Sequence, residues 1–379
     1  VPSEAIIHLP ERGAMKRTFN RSRQHGLPTN PKSLEELGDI PDEFRLTLAR
    51  KQFMCFDSFQ EDEEGKRIIV FASKSSLKKL SRSKIWQADG TFDTAPDIFT
   101  QILAIHGEYR GETLPLAYAL LPDKLESSYR RALLAILDTI EDFSLPAPHP
   151  TTFISDLEKG LNNAITALFP NARQLRLCLF HLRQAAFRKV QSLGLQAAYR
   201  DEEDSSVRDS FREMVGLAFV PPEDVEECFT EAKNNLPPAM HAFGEYFETT
   251  YVKGRVLRGR RRAAPPRYTP ALWNQYLAAL NNEPRTNNAT EAWHNRFQTV
   301  VGKSHPTLFH LIKEFKKEEA DSTVMMAELD AGKKIRQPQR AKYQRINQRL
   351  QRLAESYGQF KEEGRVLEYL RACRHNVGH

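Results

Sequence analysis

Three apolar runs, at residues 85–89, 99–107 and 113–121, follow one another with only short polar breaks. Runs this short and this close are strands of an antiparallel meander, with Glu108-Tyr-Arg-Gly-Glu112 as a turn between the second and third. The rhythm then changes. Residues 128–142 carry Leu133, Leu134, Leu137 and Ile140 at helical spacing. A fourth strand follows at 151–155, a helix at 161–168 with Pro170 just past its end, and a fifth strand at 174–179. The last two strands are each reached through a helical crossover, which makes them parallel. The expected core is therefore α/β: a mixed five-stranded sheet with helices on its faces. Residues 67–72 form a further plausible strand, after a Gly-ended hairpin turn at 61–65.

Three acidic residues fall at telling places in this order. Asp89 closes the first run and Asp156 the fourth. Glu291 lies inside a helical pattern that Thr286 or Asn287 can cap. Mg²⁺ and Mn²⁺ take hard oxygen ligands, and two such ions about 4 Å apart serve phosphodiester cleavage by flanking the attacking and leaving oxygens. Two Asp on neighbouring strands and a longer-reaching Glu on a helix form a cage for such a pair. Taken singly, each acid is more often a turn residue, a helix cap or a solvated carboxylate. Helical spacing also sets Asn287, Asn288 and His294 on the face of Glu291, at the rim of the expected site. Cys178 and His181, three apart at the end of the fifth strand, either brace the core or hold zinc. Bracing is the commoner use of such a pair.

The rest of the chain divides around this core. Residues 1–52 are polar and basic and are expected to form a mobile arm, with a short helix near Leu34 and Leu37. Residues 53–181 hold the first part of the core. Residues 182–284 are helical throughout, an insertion with its own apolar faces. It contains the run Arg258, Arg260, Arg261 and Arg262, which is either a solvated loop or a phosphate contact. Residues 285–330 return to the core with the Glu291 helix. Residues 331–379 form a basic tail in which Lys333, Lys334 and Arg336 begin a stretch with no acid up to Arg352. That stretch is the strongest electrostatic candidate for nucleic acid. The net charge of +6 over 379 residues fits a nucleic-acid partner without requiring one. Four scattered cysteines do not make a disulfide framework and point to a reducing compartment. No apolar run approaches the roughly 18 residues of a membrane span. The first residue is Val1 rather than Met, which suggests a piece of a longer chain. Neither a P-loop nor a dinucleotide fingerprint occurs, so a nucleoside-triphosphate engine is not expected.

Several blocks together resemble the transposase domain of Mutator-like elements. They are Trp86-Gln-Ala-Asp-Gly-Thr-Phe92, Leu114-Pro-Leu-Ala-Tyr-Ala-Leu-Leu-Pro122, Ser155-Asp156, Cys178-Leu-Phe-His181, Arg285-Thr-Asn-Asn288 and Glu291-Ala-Trp-His294. Trp273-Asn274 fits the pattern of the family's insertion. The resemblance implies a ribonuclease H-like fold interrupted by a helical insertion. It implies a catalytic and metal-binding triad of Asp89, Asp156 and Glu291 with Mg²⁺ or Mn²⁺, and a Cys-x-x-His motif. It further implies double-stranded DNA as partner (terminal inverted repeats and target DNA), a homo-oligomer, and action in the nucleus. The expected activity is metal-dependent cleavage at element ends followed by strand transfer. The alternative is a transposase-derived DNA-binding or regulatory protein that has lost the reaction, and a nuclease of the same fold would differ only in lacking strand transfer.

Overall fold

The computed structural model describes residues 13–15, 18, 26–60, 66–172, 174–255, 264–335 and 341–377. Within them, β1 (Met54–Asp57), β2 (Ile69–Phe71), β3 (Ile85–Thr91), β4 (Gln101–Tyr109), β5 (Glu112–Leu121), β6 (Thr152–Ser155) and β7 (Gln174–Leu177) form one mixed sheet in the order β1-β2-β5-β4-β3-β6-β7. The helices used below are α1 (Lys74–Leu80), α2 (Glu126–Asp142), α3 (Lys159–Leu168), α4 (Leu179–Ser192), α5 (Ser206–Gly216), α6 (Val225–Asn234), α7 (His241–Phe247), α8 (Asn288–Val301), α9 (Leu308–Asp330), α10 (Ala341–Glu362) and α11 (Val366–Arg374).

The sheet has seven strands where five were expected. The five expected ones are β3 to β7, antiparallel across β5-β4-β3 and parallel across β3-β6-β7. The other two extend the edge beyond β5, where β2 pairs antiparallel with Ile69 opposite Leu120 and Phe71 opposite Tyr118. The run at 67–72 was legible as a strand. Its partner lies about fifty residues away, and nothing local specifies that pairing. The connection between β4 and β5 is two residues long, with Arg110 and Gly111 both at positive φ (+51° and +82°). That turn matches the right-handed twist of the flanking strands, and Gly111 enters it without steric cost.

Side-chain alternation divides the sheet into two faces. On one, Trp86, Ala88, Leu103, Ile105, Ala117 and Ala119 pack under α1, α2 and α3. On the other, Ile102, Ala104, Tyr118 and Leu120 pack under Trp293, Phe297 and Val301 of α8 and Leu311, Ile312 and Phe315 of α9. Leu37, Ile40, Phe44 and Phe53 join this second core, and the Phe44 and Phe309 rings lie 4.7 Å apart. Leu37, Ile40 and Phe44 were expected in a mobile arm, and Phe53 at the start of the core. They are spaced irregularly among polar neighbours, so they carry no periodic signal.

A third core belongs to α4–α7 together with α10 and α11. Phe211, Met214, Phe229, Phe243, Phe247 and Trp273 share it with Leu350, Ala354, Tyr357, Tyr369, Leu370 and Cys373. The Tyr369 hydroxyl donates to the Phe219 carbonyl at 2.5 Å, and that of Tyr357 to Asp224 at 2.9 Å. This core is tied to the sheet by Gln275 Nε2, which donates to the Leu177 carbonyl at 2.9 Å, and by the Tyr268 hydroxyl, which donates to the Leu157 carbonyl at 2.8 Å. No helix among the described residues is long and apolar enough to cross a membrane.

Candidate active site

The geometry begins with strand register. In the parallel pair β3–β6, Ala88 lies opposite Ser155, so the next residues, Asp89 and Asp156, stand side by side. Trp86 and Ala88 point to the α2 face, so Gln87 and Asp89 point to the α8 face. Ile85, Ile154 and Cys178 form a small apolar cluster beside them. Asp89 does not close its strand as expected, because β3 continues to Thr91 and Asp89 pairs with Ala104 of β4. It is therefore buried, at 5 % exposure. Asp156 follows the last residue of β6 and accepts the Glu158 N–H at 3.1 Å, a local turn bond. Burial, reinforced by the neighbouring Asp89, pushes the Asp156 carboxyl up to about 7.

Helix α8 faces these two acids through its first turns. Asn287 is the residue before the helix, but its side chain does not cap it. Instead Nδ2 donates to Asp89 Oδ2 at 3.1 Å. The capping expected of Asn287 gives way to a stronger partner, since a bond to a buried carboxylate is charge-assisted. One turn on, the Thr290 hydroxyl donates to Gln87 Oε1 at 3.0 Å. His294 Nδ1 sits 3.4 Å from Asp89 Oδ2. Glu291 lies on the same side of the helix, and its carboxyl is raised by burial first and by Asp89 second. Asn287 and His294 thus reach Asp89 directly. Asn288, the first residue of the helix, is exposed.

Cys178 and His181 do not close β7, which ends at Leu177. Cys178 is the residue before α4, and His181 lies in that helix's first turn. The Asn287 N–H reaches Cys178 Sγ at 3.5 Å, and the Leu179 N–H donates to the Arg285 carbonyl at 3.2 Å. His181 Nε2 is 3.6 Å from Glu291 Oε1. Among the described residues, Cys178, His181 and Glu291 bring three potential ligand atoms within 4.8 Å of one another. The Asp89, Asp156 and Glu291 oxygens do not close to such a cluster. Burial pushes the Cys178 thiol up to about 11 and holds the His181 imidazole below its usual value.

These residues fit a cation. Asn287 Oδ1, Glu291 Oε1, His294 Nε2 and His181 Nδ1 are all buried with no hydrogen-bond partner. Buried polar atoms are normally paired, so four orphans around two raised carboxyls mark a place where positive charge is wanted. The carboxylate oxygens suit Mg²⁺ or Mn²⁺, whereas the thiol and imidazoles suit softer ions.

Two residues outside the expected set complete this face. Gln87 anchors Thr290. His106, opposite Gln87 in the β3–β4 register, is buried edge-on to Trp293 at 5.2 Å, with neither ring nitrogen bonded. Burial, and secondarily His294, hold its imidazole well below the usual range. The alternation of β3 would have found Gln87, two residues before Asp89. His106 needed the register. Of the basic residues expected at DNA, Arg258, Arg260, Arg261, Arg262 and Arg336 lie outside the described residues. Lys333 and Lys334 are exposed just past α9, where Lys333 Nζ is 3.1 Å from Glu328.

Residues 85–185 match the family model described as the MULE transposase domain. This segment runs from β3 into α4 and so contains Asp89, Asp156, Cys178 and His181, while Glu291 lies beyond it. No curated protein matches the sequence.

Proposed function

We propose that this chain, with its MULE transposase domain at residues 85–185, is the catalytic part of a DNA transposase of the Mutator-like class, with Asp89, Asp156 and Glu291 as its triad. The observation that supports this reading is the place of Asp89 between the other two, where it raises the carboxyls of both Asp156 and Glu291. Register sets Asp89 beside Asp156, and the Asn287 and Thr290 bonds bring the Glu291 helix to the same face. We read the block β5-β4-β3-β6-β7 as a ribonuclease H-like core, with β1 and β2 as an added edge and the helical region as the insertion. The substrates are double-stranded element ends and target DNA, and the protein acts as an oligomer in the nucleus.

Asp89, Asp156 and Glu291 would hold Mg²⁺ or Mn²⁺. When bound, the ions would supply the charge neutralisation that phosphodiester attack requires. The chain's own part is positioning. Asn287 and His294 hold Asp89 from the helix side, and the Gly90 N–H holds its Oδ1 at 3.0 Å. His181 Nε2 stands 3.6 Å from Glu291 Oε1 on the α4 side. Hydrolysis at the element end breaks a P–O3′ bond and frees a 3′-hydroxyl. That hydroxyl then attacks a phosphodiester of target DNA and displaces its 3′-oxygen.

The test is cleavage of a labelled duplex bearing element ends, with Mn²⁺ or Mg²⁺, for wild type beside Asp89→Asn and Glu291→Gln. Metal-dependent cutting that both variants lose, with binding kept, supports the reading. A joined product separates a transposase from a nuclease. Salt-sensitive binding without any cutting would replace it with a transposase-derived DNA-binding protein.

A further inference from the structure

On the insertion side of Asp156 lies an open groove of about 470 Å³, within the size range of small-molecule sites. Three tyrosines line it: Tyr246, Tyr251 and Tyr268. Among the described residues that line it, every charged one is a cation, namely Lys159, Arg255 and Arg267. That is notable in a chain with 49 acidic residues. The groove borders the candidate active site through the chain next to Asp156. Leu157, next to Asp156, lines it, and the Tyr268 hydroxyl donates to the Leu157 carbonyl. Its rim is built. Arg255 and Ala264 pair through two backbone bonds of 2.9 Å, an approach that requires Gly254. Gly254 has φ +81°, and a Cβ there would lie 2.1 Å from the Ala264 carbonyl oxygen.

The tyrosines are not equivalent. Tyr251 and Tyr268 stack on each other at 5.8 Å and are almost fully buried, so they serve as the wall. Tyr246 is only half-buried, edge-on to Tyr251 at 5.9 Å. Its ring is the surface a planar group can reach, and the Lys189 ammonium lies 5.4 Å from its centroid. An all-cationic groove with one reachable aromatic ring suits a polyanion that carries flat, stackable groups.

We propose that this groove holds an unpaired segment of DNA strand beside the cleavage point, with phosphates on Lys159, Arg255 and Arg267 and one base against Tyr246. Its location relative to the cleavage point rests on the triad reading above; its ligand chemistry does not. In an intact duplex the bases are stacked on one another and paired, so none is free to lie on the ring, and the site discriminates strand separation rather than sequence. Stacking tolerates any base, because every base has a π face.

The test uses the whole chain without divalent metal, so loss of the triad reading would leave the result standing. Fluorescence anisotropy compares a blunt duplex with the same duplex carrying a short single-stranded overhang. Wild type is expected to prefer the overhang by roughly 5- to 150-fold, the range that one stacked base supplies. Tyr246→Leu should bring the preference close to unity, and Tyr246→Phe should keep it. The Arg255→Ala, Arg267→Ala double variant changes only exposed side chains. It should lower the salt slope of overhang binding by about 1 per lost phosphate contact. Equal affinity of wild type for both probes would overturn the proposal. So would an unchanged salt slope in the double variant, which carries the test by itself if Tyr246→Leu does not fold.

Discussion

At the scale of the residue, Asp89 is the hinge of the site. It is a buried carboxylate held from three sides, by the Gly90 N–H, the Asn287 amide and the His294 ring. Groups that orient a ligand without binding the ion are typically worth about 10- to 100-fold in metal affinity or activity. Asn287→Ala is therefore expected to cut metal-dependent cleavage by roughly that factor while duplex binding stays unchanged. Titrating Mn²⁺ in the cleavage assay checks it, and wild-type activity at every concentration would refute the role. Asp156 sets a pH dependence. Its folded-state value near 7 lies above the ordinary 3.8, so protonation favours the folded metal-free protein. That contribution is complete below pH about 4 and is lost as pH rises through about 7. Thermal unfolding should show the metal-free protein weakening over that window. Mn²⁺ should stabilise it more at pH 8 than at pH 6, because binding needs the ionised acid. Asp156→Asn should flatten the part of the metal-free profile due to this group. If the profile keeps its full slope in the variant, the assignment to Asp156 fails.

At the scale of the element, the question is what fixes the rotation of α8, since Glu291 faces the sheet only if the helix does not roll. Trp293 answers on one flank. Its ring stacks on Phe297 at 4.8 Å and lies 5.7 Å from Tyr118, and its Nε1 donates to Glu318 Oε2 at 2.7 Å. Glu318, buried in α9, also pairs with both terminal nitrogens of Arg296. Helix α9 thereby grips α8 at Trp293 and Arg296, two and five residues from Glu291. Arg296→Ala leaves the Glu318 carboxylate buried with the indole as its remaining named donor. The expected cost is about 1–3 kcal/mol of stability, measurable by denaturant unfolding. A loss below the scatter of surface substitutions would mean that the pair does not brace the helix.

At the scale of the whole molecule, the C-terminal helices belong to the helical core rather than hanging free as a basic tail. Leu350, Ala354 and Tyr357 of α10 recur at helical spacing and are buried against the insertion. Tyr369 of α11 bonds the Phe219 carbonyl inside it. Deleting residues 341–379 should expose that core. The truncated protein should lose cooperative unfolding of the helical region and become sensitive to limited proteolysis between α5 and α7. A truncation that resists protease like the full chain would show that the insertion folds without α10 and α11. The basic side of α10 stays in solvent, since Arg345 and Arg352 are exposed while the apolar side is covered.

What the sequence determined by itself was local or periodic. The five central strands, the helices after them and the helical stretch beyond residue 182 each follow from side-chain period and turn chemistry, which neighbouring residues set alone. The two Asp could be singled out because they close such runs and Glu291 because of its context within a helical pattern, and the family match over residues 85–185 agrees with the resemblance there. Tertiary structure decided everything that needed two distant segments to meet. It paired β2 with β5, buried Phe44 against Phe309 and folded α10 onto the insertion. It also turned Asn287 from an expected cap into a ligand of Asp89, 198 residues away in sequence. It gave Gln87 and His106 their places beside the acids through the β3–β4 register. The physical reason is the same in each case: burial and charge-assisted bonding outweigh local preference, and neither is visible until the partner segment is in place.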